Sequence, residues 1–251
     1  MRAFISSFFY KGEICKMTTI MILLIKTILA ILFAILEGNG AVWFFNRMPP
    51  KWFCDYGEEP TEEILSTDTQ RVKSYPWKFS LTMLFVVVNV RLVMVDAQFA
   101  IAATLALWLL LEISISDLKY RIIPDELLIL LAVCGLGFYP FHSNIKTCIF
   151  GALIGFGIVA FIALISKMAY KRDAIGGGDV KLFAVLGFLT GPEGVIAIFI
   201  MSSFISAMCF SYLLLRRKIK RNDTFPMAPY IAVAAGIYFM FLWDAFDIIK
   251  L

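Results

Sequence analysis

Charge is scarce in this chain. Only 17% of its 251 residues are Asp, Glu, Lys or Arg, against 61% hydrophobic residues, and the mean hydropathy is +0.84. A water-soluble domain is thereby excluded, because one globular core of this size cannot bury so much apolar surface. Histidine is nearly missing as well: His142 is the only one. It sits in Phe141-His142-Ser143-Asn144, between apolar runs, where a loop role at the membrane interface fits better than catalysis. The five cysteines (Cys15, Cys54, Cys134, Cys148 and Cys209) form no C-x-x-C pair. Three of them lie inside apolar runs, where a thiol behaves as a small hydrophobe, so neither a disulfide nor a metal site is expected. No convincing internal repeat is present, which speaks against a transporter built from duplicated halves.

What the chain has in abundance is long apolar runs and 24 phenylalanines. A membrane-spanning helix needs about 20 mostly apolar residues. Spans are expected near 18–45, 79–95, 99–116, 126–141, 146–167, 195–215 and 229–247, with a shorter apolar piece at 180–190 that ends at Gly191-Pro192. The predicted fold is an all-α, polytopic transmembrane helix bundle of about eight segments. It divides into a first segment with its helix (1–46), a polar, proline-bearing loop (47–78) and a transmembrane unit (79–251). The first apolar run is too long, and lacks the small-residue cleavage site, for a removable signal peptide; it reads as an anchor, with Met17 an alternative start.

Placing the loops 47–78, 117–125, 167–181 and 216–228 on one side collects 16 of the 23 Lys and Arg residues there. By the positive-inside rule that side is cytoplasmic. The net charge of +4 thus reports topology and calls for no nucleic acid partner. The partner it does imply is the lipid bilayer.

Two acids stand at this predicted cytoplasmic edge. Asp179 follows Gly176-Gly177-Gly178 and precedes Val180-Lys181; Asp117 ends an apolar run in Ser116-Asp117-Leu118-Lys119-Tyr120-Arg121. An ionisable group at the lip of a span is costly and by default marks a functional site. Three glycines before a helix leave an open entry along which an extended peptide can pass the carboxylate. The plainer reading makes the glycines a turn and Asp179 a helix N-cap. Asp117 lies at a helix C-terminus, where the macrodipole disfavours negative charge, so a structural role alone does not explain it. Asp125, after Pro124, reads as a cap or first-turn acid. Two carboxylates meeting in a partly desolvated site hold one proton between them and so supply an acid and a base together. Lys181 is placed to favour an ionised Asp179 or to contact a substrate backbone, with lipid head groups an equal alternative.

The pattern D-x-x-x-x-x-x-P-D entering one helix and G-x-G-D-x-K entering another resembles the type IV prepilin peptidase family of membrane aspartyl proteases. Gly38 through Arg47-Met48-Pro49 is similar to that family's first helix and the turn after it, and Phe225-Pro226-Met227-Ala228-Pro229-Tyr230 resembles its Pro-Phe-Gly-Pro-Phe opening of a late helix. The likeness covers about residues 38 to 235. It implies that Asp117 and Asp179 are the catalytic pair, with Gly176, Gly177, Gly178 and Lys181 shaping the loop or contacting substrate. It also implies cleavage of the basic leader of prepilin or pseudopilin precursors, after a glycine, at the cytoplasmic face of a bacterial plasma membrane. Proteolysis of this kind requires no cofactor. Relatives that also methylate the new amino terminus use S-adenosylmethionine, for which the chain shows no motif of its own. Many long relatives carry two C-x-x-C pairs after the first helix, whereas here Cys54-Asp55-Tyr56-Gly57 keeps one cysteine, too few for a tetrahedral thiolate site. The alternatives are an archaeal preflagellin-type or other G-x-G-D protease and, from a different class, a small proton- or cation-coupled transporter. Glu58, Glu59, Glu62 and Glu63 read chiefly as a solvated acidic loop.

Overall fold

The computed structural model describes residues 2–54, 71–170, 176–218 and 225–243, the side chains of 2–16 and 170 excepted. The expected acidic run Glu58–Glu63 and half of the 47–78 loop lie outside the described residues. Among the described residues seven α-helices follow in order: α1 (Arg2–Arg47), α2 (Trp77–Val93), α3 (Ala97–Tyr120), α4 (Asp125–Gly135), α5 (Ile145–Tyr170), α6 (Gly177–Leu215) and α7 (Ala228–Ile237). Short 3-10 turns at Pro50–Phe53 and Leu136–Phe141, and a π-turn at Tyr238–Leu242, complete them. No strand occurs among the described residues. The stretches Met17–Arg47, Ala97–Tyr120, Ile145–Ala169 and Gly177–Leu215 are each long and apolar enough to cross a membrane. Leu32 on α1 and Leu153 and Phe161 on α5 face outward, as apolar side chains do when lipid is the solvent.

The expected break at Gly191-Pro192 is real. Gly191 has φ 71 and ψ −177 within α6, a conformation open to glycine and closed to most side chains. The chain reverses there. Phe183 and Phe199 flank Gly191 by eight residues on either side, and their ring centroids lie 5.6 Å apart; a straight helix would separate them by ~24 Å. α6 is therefore two antiparallel arms, which makes eight helical segments among the described residues. The first arm, 177–190, rises only ~20 Å, short of a ~30 Å hydrocarbon core. It is held tightly against α5: a Cβ on Gly151 would run into the backbone of Gly187, and one on Gly155 into that of Phe183. Small residues permit such approach, and in lipid this packing replaces the hydrophobic drive. The expected single span at 126–141 is shorter than predicted, because after Gly135 the chain tightens into a 3-10 turn containing Pro140.

α3 is the central helix, with Ala103, Ala106, Leu110 and Ile113 fully or almost fully buried. At one end of the bundle Phe99, Phe138, Phe239 and Trp243 form an aromatic cluster with centroid spacings of 4.6–6.1 Å. His142 belongs to that end, its Nε2 2.8 Å from the Leu189 carbonyl and its ring beside Trp243. The opposite end gathers the C-terminus of α3 and the N-termini of α4, α6 and α7. There Asn46 exchanges hydrogen bonds with Val72 (2.8 and 2.9 Å), fastening the chain after the 47–78 loop to α1.

Candidate active site

Three chain segments meet at that end. Asp117 occupies the last turn of α3 and is 7% exposed. Its Oδ2 accepts the Ala228 backbone N–H at 2.9 Å, and the Met227 backbone adds a second hydrogen bond. Met227 is the N-cap of α7 and Ala228 its first residue, so the carboxylate sits on the positive end of that helix. The unfavourable dipole of α3 is thereby offset by the favourable dipole of α7. Ser114, one turn earlier, bridges α3 to the same place by donating to the carbonyls of Leu110 (2.6 Å) and Ala228 (3.3 Å). Arg121 closes α3 in the left-handed conformation (φ 59) with its N–H on the Asp117 carbonyl, and its guanidinium charge acts on the Asp117 carboxylate. Ser116 donates to the Ile122 carbonyl at 2.7 Å and fixes the turn that follows.

Asp179 is the third residue of α6, and Gly176 takes the N-cap position. Asp179 is therefore not the N-cap, the plainer role weighed for it. Its backbone N–H donates to the Gly176 carbonyl at 3.1 Å, and its carboxylate takes a backbone hydrogen bond at Gly176, the reach-back of a capping box without the capping side chain. The negative charge of Asp117 acts on Asp179, so the fold brings the two acids into electrostatic reach of each other. Gly178 makes this approach feasible: a Cβ there would fall 2.9 Å from the Cβ of Ile123, in the turn after α3. Gly177 faces open space, and a Cβ on Gly176 would meet only Asp179 Oδ2 at an ordinary 3.5 Å.

Lys181 is placed differently from its expected role. Its Nζ lies 2.8 Å from both carboxylate oxygens of Asp125, in the first turn of α4. The first-turn reading of Asp125 stands, and Lys181 ties α6 to α4 through it. With side chains 51% and 30% exposed, the pair contributes at most ~1 kcal/mol.

Two features escaped the sequence reading. Phe225–Tyr230 stood out as a motif, yet nothing in it announced that its contribution is the amides of Met227 and Ala228. Glu112 also went unremarked. It is fully buried on α3, five residues before Asp117, and neither carboxyl oxygen has a hydrogen-bond partner. Glu37 on α1 joins a buried chain in which Asn89 donates to its Oε2 (2.7 Å) and Thr104 to Asn89 (2.8 Å). Among the described residues, no three His, Cys, Asp or Glu side chains cluster as metal ligands would.

Both acids, and most of the helices that carry them, lie within one stretch that is recognisable across proteins. Residues 104–211 match the type IV leader peptidase family. The resemblance read from the sequence is thus upheld. Curated relatives of the leader peptidase family include a "Prepilin leader peptidase/N-methyltransferase" of Bacillus subtilis, 31% identical over 144 residues, which are 54% of this chain and 52% of that protein. Proteins of the same name from Aeromonas salmonicida (29% over 165 residues, 65% of this chain and 56% of the relative) and Xanthomonas campestris pv. campestris (29% over 133 residues, 52% and 46%) are similar too. The chain spans about half the length of the curated relatives it matches. No solved structure matches it.

Proposed function

We propose that this protein is a membrane aspartyl endopeptidase that removes the basic leader peptide of type IV prepilin or pseudopilin precursors. The observation that carries this reading is the placement of Asp117 and Asp179 at one end of the bundle, each held by backbone amides, with the charge of Asp117 acting on Asp179. In the reaction, the ionised member deprotonates a water for attack on the scissile carbonyl. The protonated member polarises that carbonyl and later delivers its proton to the departing amine. The half-exposed glycine entry at 176–178 leaves a path for an extended peptide beside Asp179, and cleavage follows a glycine of the precursor. The clustering of Lys and Arg in the loops at this end supports a cytoplasmic active site in a bacterial plasma membrane.

The relatives are named N-methyltransferases as well as leader peptidases, and the methyl donor of such an activity would be S-adenosylmethionine. Glu112, the buried acid with both oxygens unpartnered, is wholly enclosed and out of reach of so large a cofactor. Glu112 therefore offers that cofactor no contact, and the activity proposed is proteolysis.

Co-expression with a pilin precursor tests the reading. Asp117→Asn and Asp179→Asn are expected to insert and fold normally, yet to slow leader removal by at least ~100-fold, since an amide cannot serve as the base. Full conversion of the precursor to its faster-migrating form by either variant would refute the catalytic pair.

A further inference from the structure

Two buried serines stand in the last two turns of α3, and their hydroxyls point to different work. Ser114 bonds chiefly within its own helix, to the Leu110 carbonyl at 2.6 Å, and more weakly across to Ala228 at 3.3 Å. The first of these is the i−4 back-bond that serine commonly makes inside helices. Ser116 instead reaches forward, past the end of α3, to the Ile122 carbonyl at 2.7 Å, and its side chain is fully buried. Among the described residues no backbone N–H reaches that carbonyl. The turn after α3 is thus fastened by two hydrogen bonds, from the Arg121 N–H to the Asp117 carbonyl at 3.1 Å and from Ser116 to Ile122. Pro124, with φ −64, stiffens its far end.

Between those fastenings lies Ile123, whose Cβ would be 2.9 Å from a Cβ on Gly178. α6 therefore rests on this turn one residue before Asp179. Whatever holds the turn sets where Asp179 stands, and Ser116 is the immediate neighbour of Asp117 in sequence. One hydroxyl consequently joins the residue beside one acid to the surface on which the helix of the other acid is seated. The exposed Lys181–Asp125 pair also links α6 to α4, but through long side chains that fix no distance closely. Ser116 is enclosed and meets no substrate. We propose that Ser116 is a positioning residue: its bond to Ile122 holds the 121–124 turn rigid and thereby sets the separation of Asp117 and Asp179. Its effect on rate rests on the peptidase reading, whereas its hold on the turn does not.

The test has two parts, both on the purified full chain in lipid. In the first, hydrogen–deuterium exchange read by mass spectrometry compares the wild type with Ser116→Ala, which deletes one oxygen and keeps a good helix former. Loss of this hydrogen bond should speed exchange at the amides of Arg121, Ile122 and Ile123 by about tenfold. Unchanged exchange there would overturn the proposal, whether or not the protein is a peptidase. In the second, kcat and KM for a pilin precursor are measured in the wild type, Ser116→Ala, Gly178→Ala and the double variant. Ser116→Ala should lower kcat by about tenfold and leave KM within about twofold. A softened turn yields to the new Cβ, so Gly178→Ala should cost less in the Ser116→Ala background than in the wild type, and the double variant should be about as slow as Gly178→Ala alone. Losses that multiply, or a Ser116→Ala effect confined to KM, would overturn the proposal. A wild type that cleaves no precursor, with exchange still faster in Ser116→Ala, would sink the peptidase reading and uphold the hold of Ser116 on the turn.

Discussion

Replacing each of the three glycines before Asp179 by alanine should separate three residues that the sequence presents as equivalent. In Gly178→Ala the new Cβ would meet Ile123 Cβ at 2.9 Å and Ile123 Cγ1 and Cδ1 at 3.3 Å. The first of these is a branch-point carbon close to the backbone, so the side chain cannot swing clear, and relief requires α6 to withdraw from the 121–124 turn by the better part of an ångström. Asp179 would withdraw with it, one residue further along the same turn. Misplacement of a reacting group by ~1 Å lowers rates by ~100-fold, and a loss of that order in kcat is expected with the fold retained. Gly177→Ala meets nothing within 4 Å and Gly176→Ala only Asp179 Oδ2 at 3.5 Å; neither backbone has a positive φ, so each should lose less than about threefold. A time course of precursor cleavage by the purified variants in lipid reads all three. Removing the obstructing carbon as well, in Gly178→Ala with Ile123→Gly, should recover a large part of the rate. Equal losses at 176, 177 and 178 would refute the claim that Gly178 alone sets the approach of α6 to α3.

The Lys181–Asp125 pair is exposed, so Asp125→Asn and Lys181→Ala should each retain substantial cleavage activity and shift stability by less than ~1 kcal/mol, as read by thermal unfolding in detergent. Gly151→Val would drive a side chain into the backbone of Gly187; destabilisation by several kcal/mol, or failure to accumulate as a folded protein, is expected from overpacking that no rotamer relieves. Glu112→Leu replaces a buried acid lacking partners by an apolar side chain of similar size, and it should raise the unfolding temperature. A lowered temperature there would mean that Glu112 makes an interaction essential to the bundle.

Much of this architecture was legible because lipid simplifies the problem. Apolar run length located nearly every helical segment, and Gly191-Pro192 marked the end of the first arm of α6, since few other residues accept a φ of 71. The two acids were legible because a carboxylate at the edge of a span needs a reason to be there. Their supports were not. The amides of Met227 and Ala228 carry no side-chain signature, and 111 residues separate Ala228 from the Asp117 carboxylate it holds. Lys181 was read against Asp179, its neighbour in sequence, whereas the helix turns its ammonium onto Asp125 of α4. Glu112 was passed over because a lone acid in an apolar run has no periodicity to betray whether it faces a cavity, a partner or a closed core. The antiparallel fold of α5 on α6 rests on Gly151 and Gly187, and only the packed structure shows which of 16 glycines touch.

The claim that Asp117 and Asp179 form one chemical unit is tested most directly by the single-turnover rate of leader cleavage in Asp117→Asn, Asp179→Asn and the double variant, purified and reconstituted in lipid. Groups that act together lose their contribution together, so each single variant should be as slow as the double, at least ~100-fold below the wild type. Losses that multiply from singles to double, or a single variant that cleaves at near the wild-type rate, would contradict it.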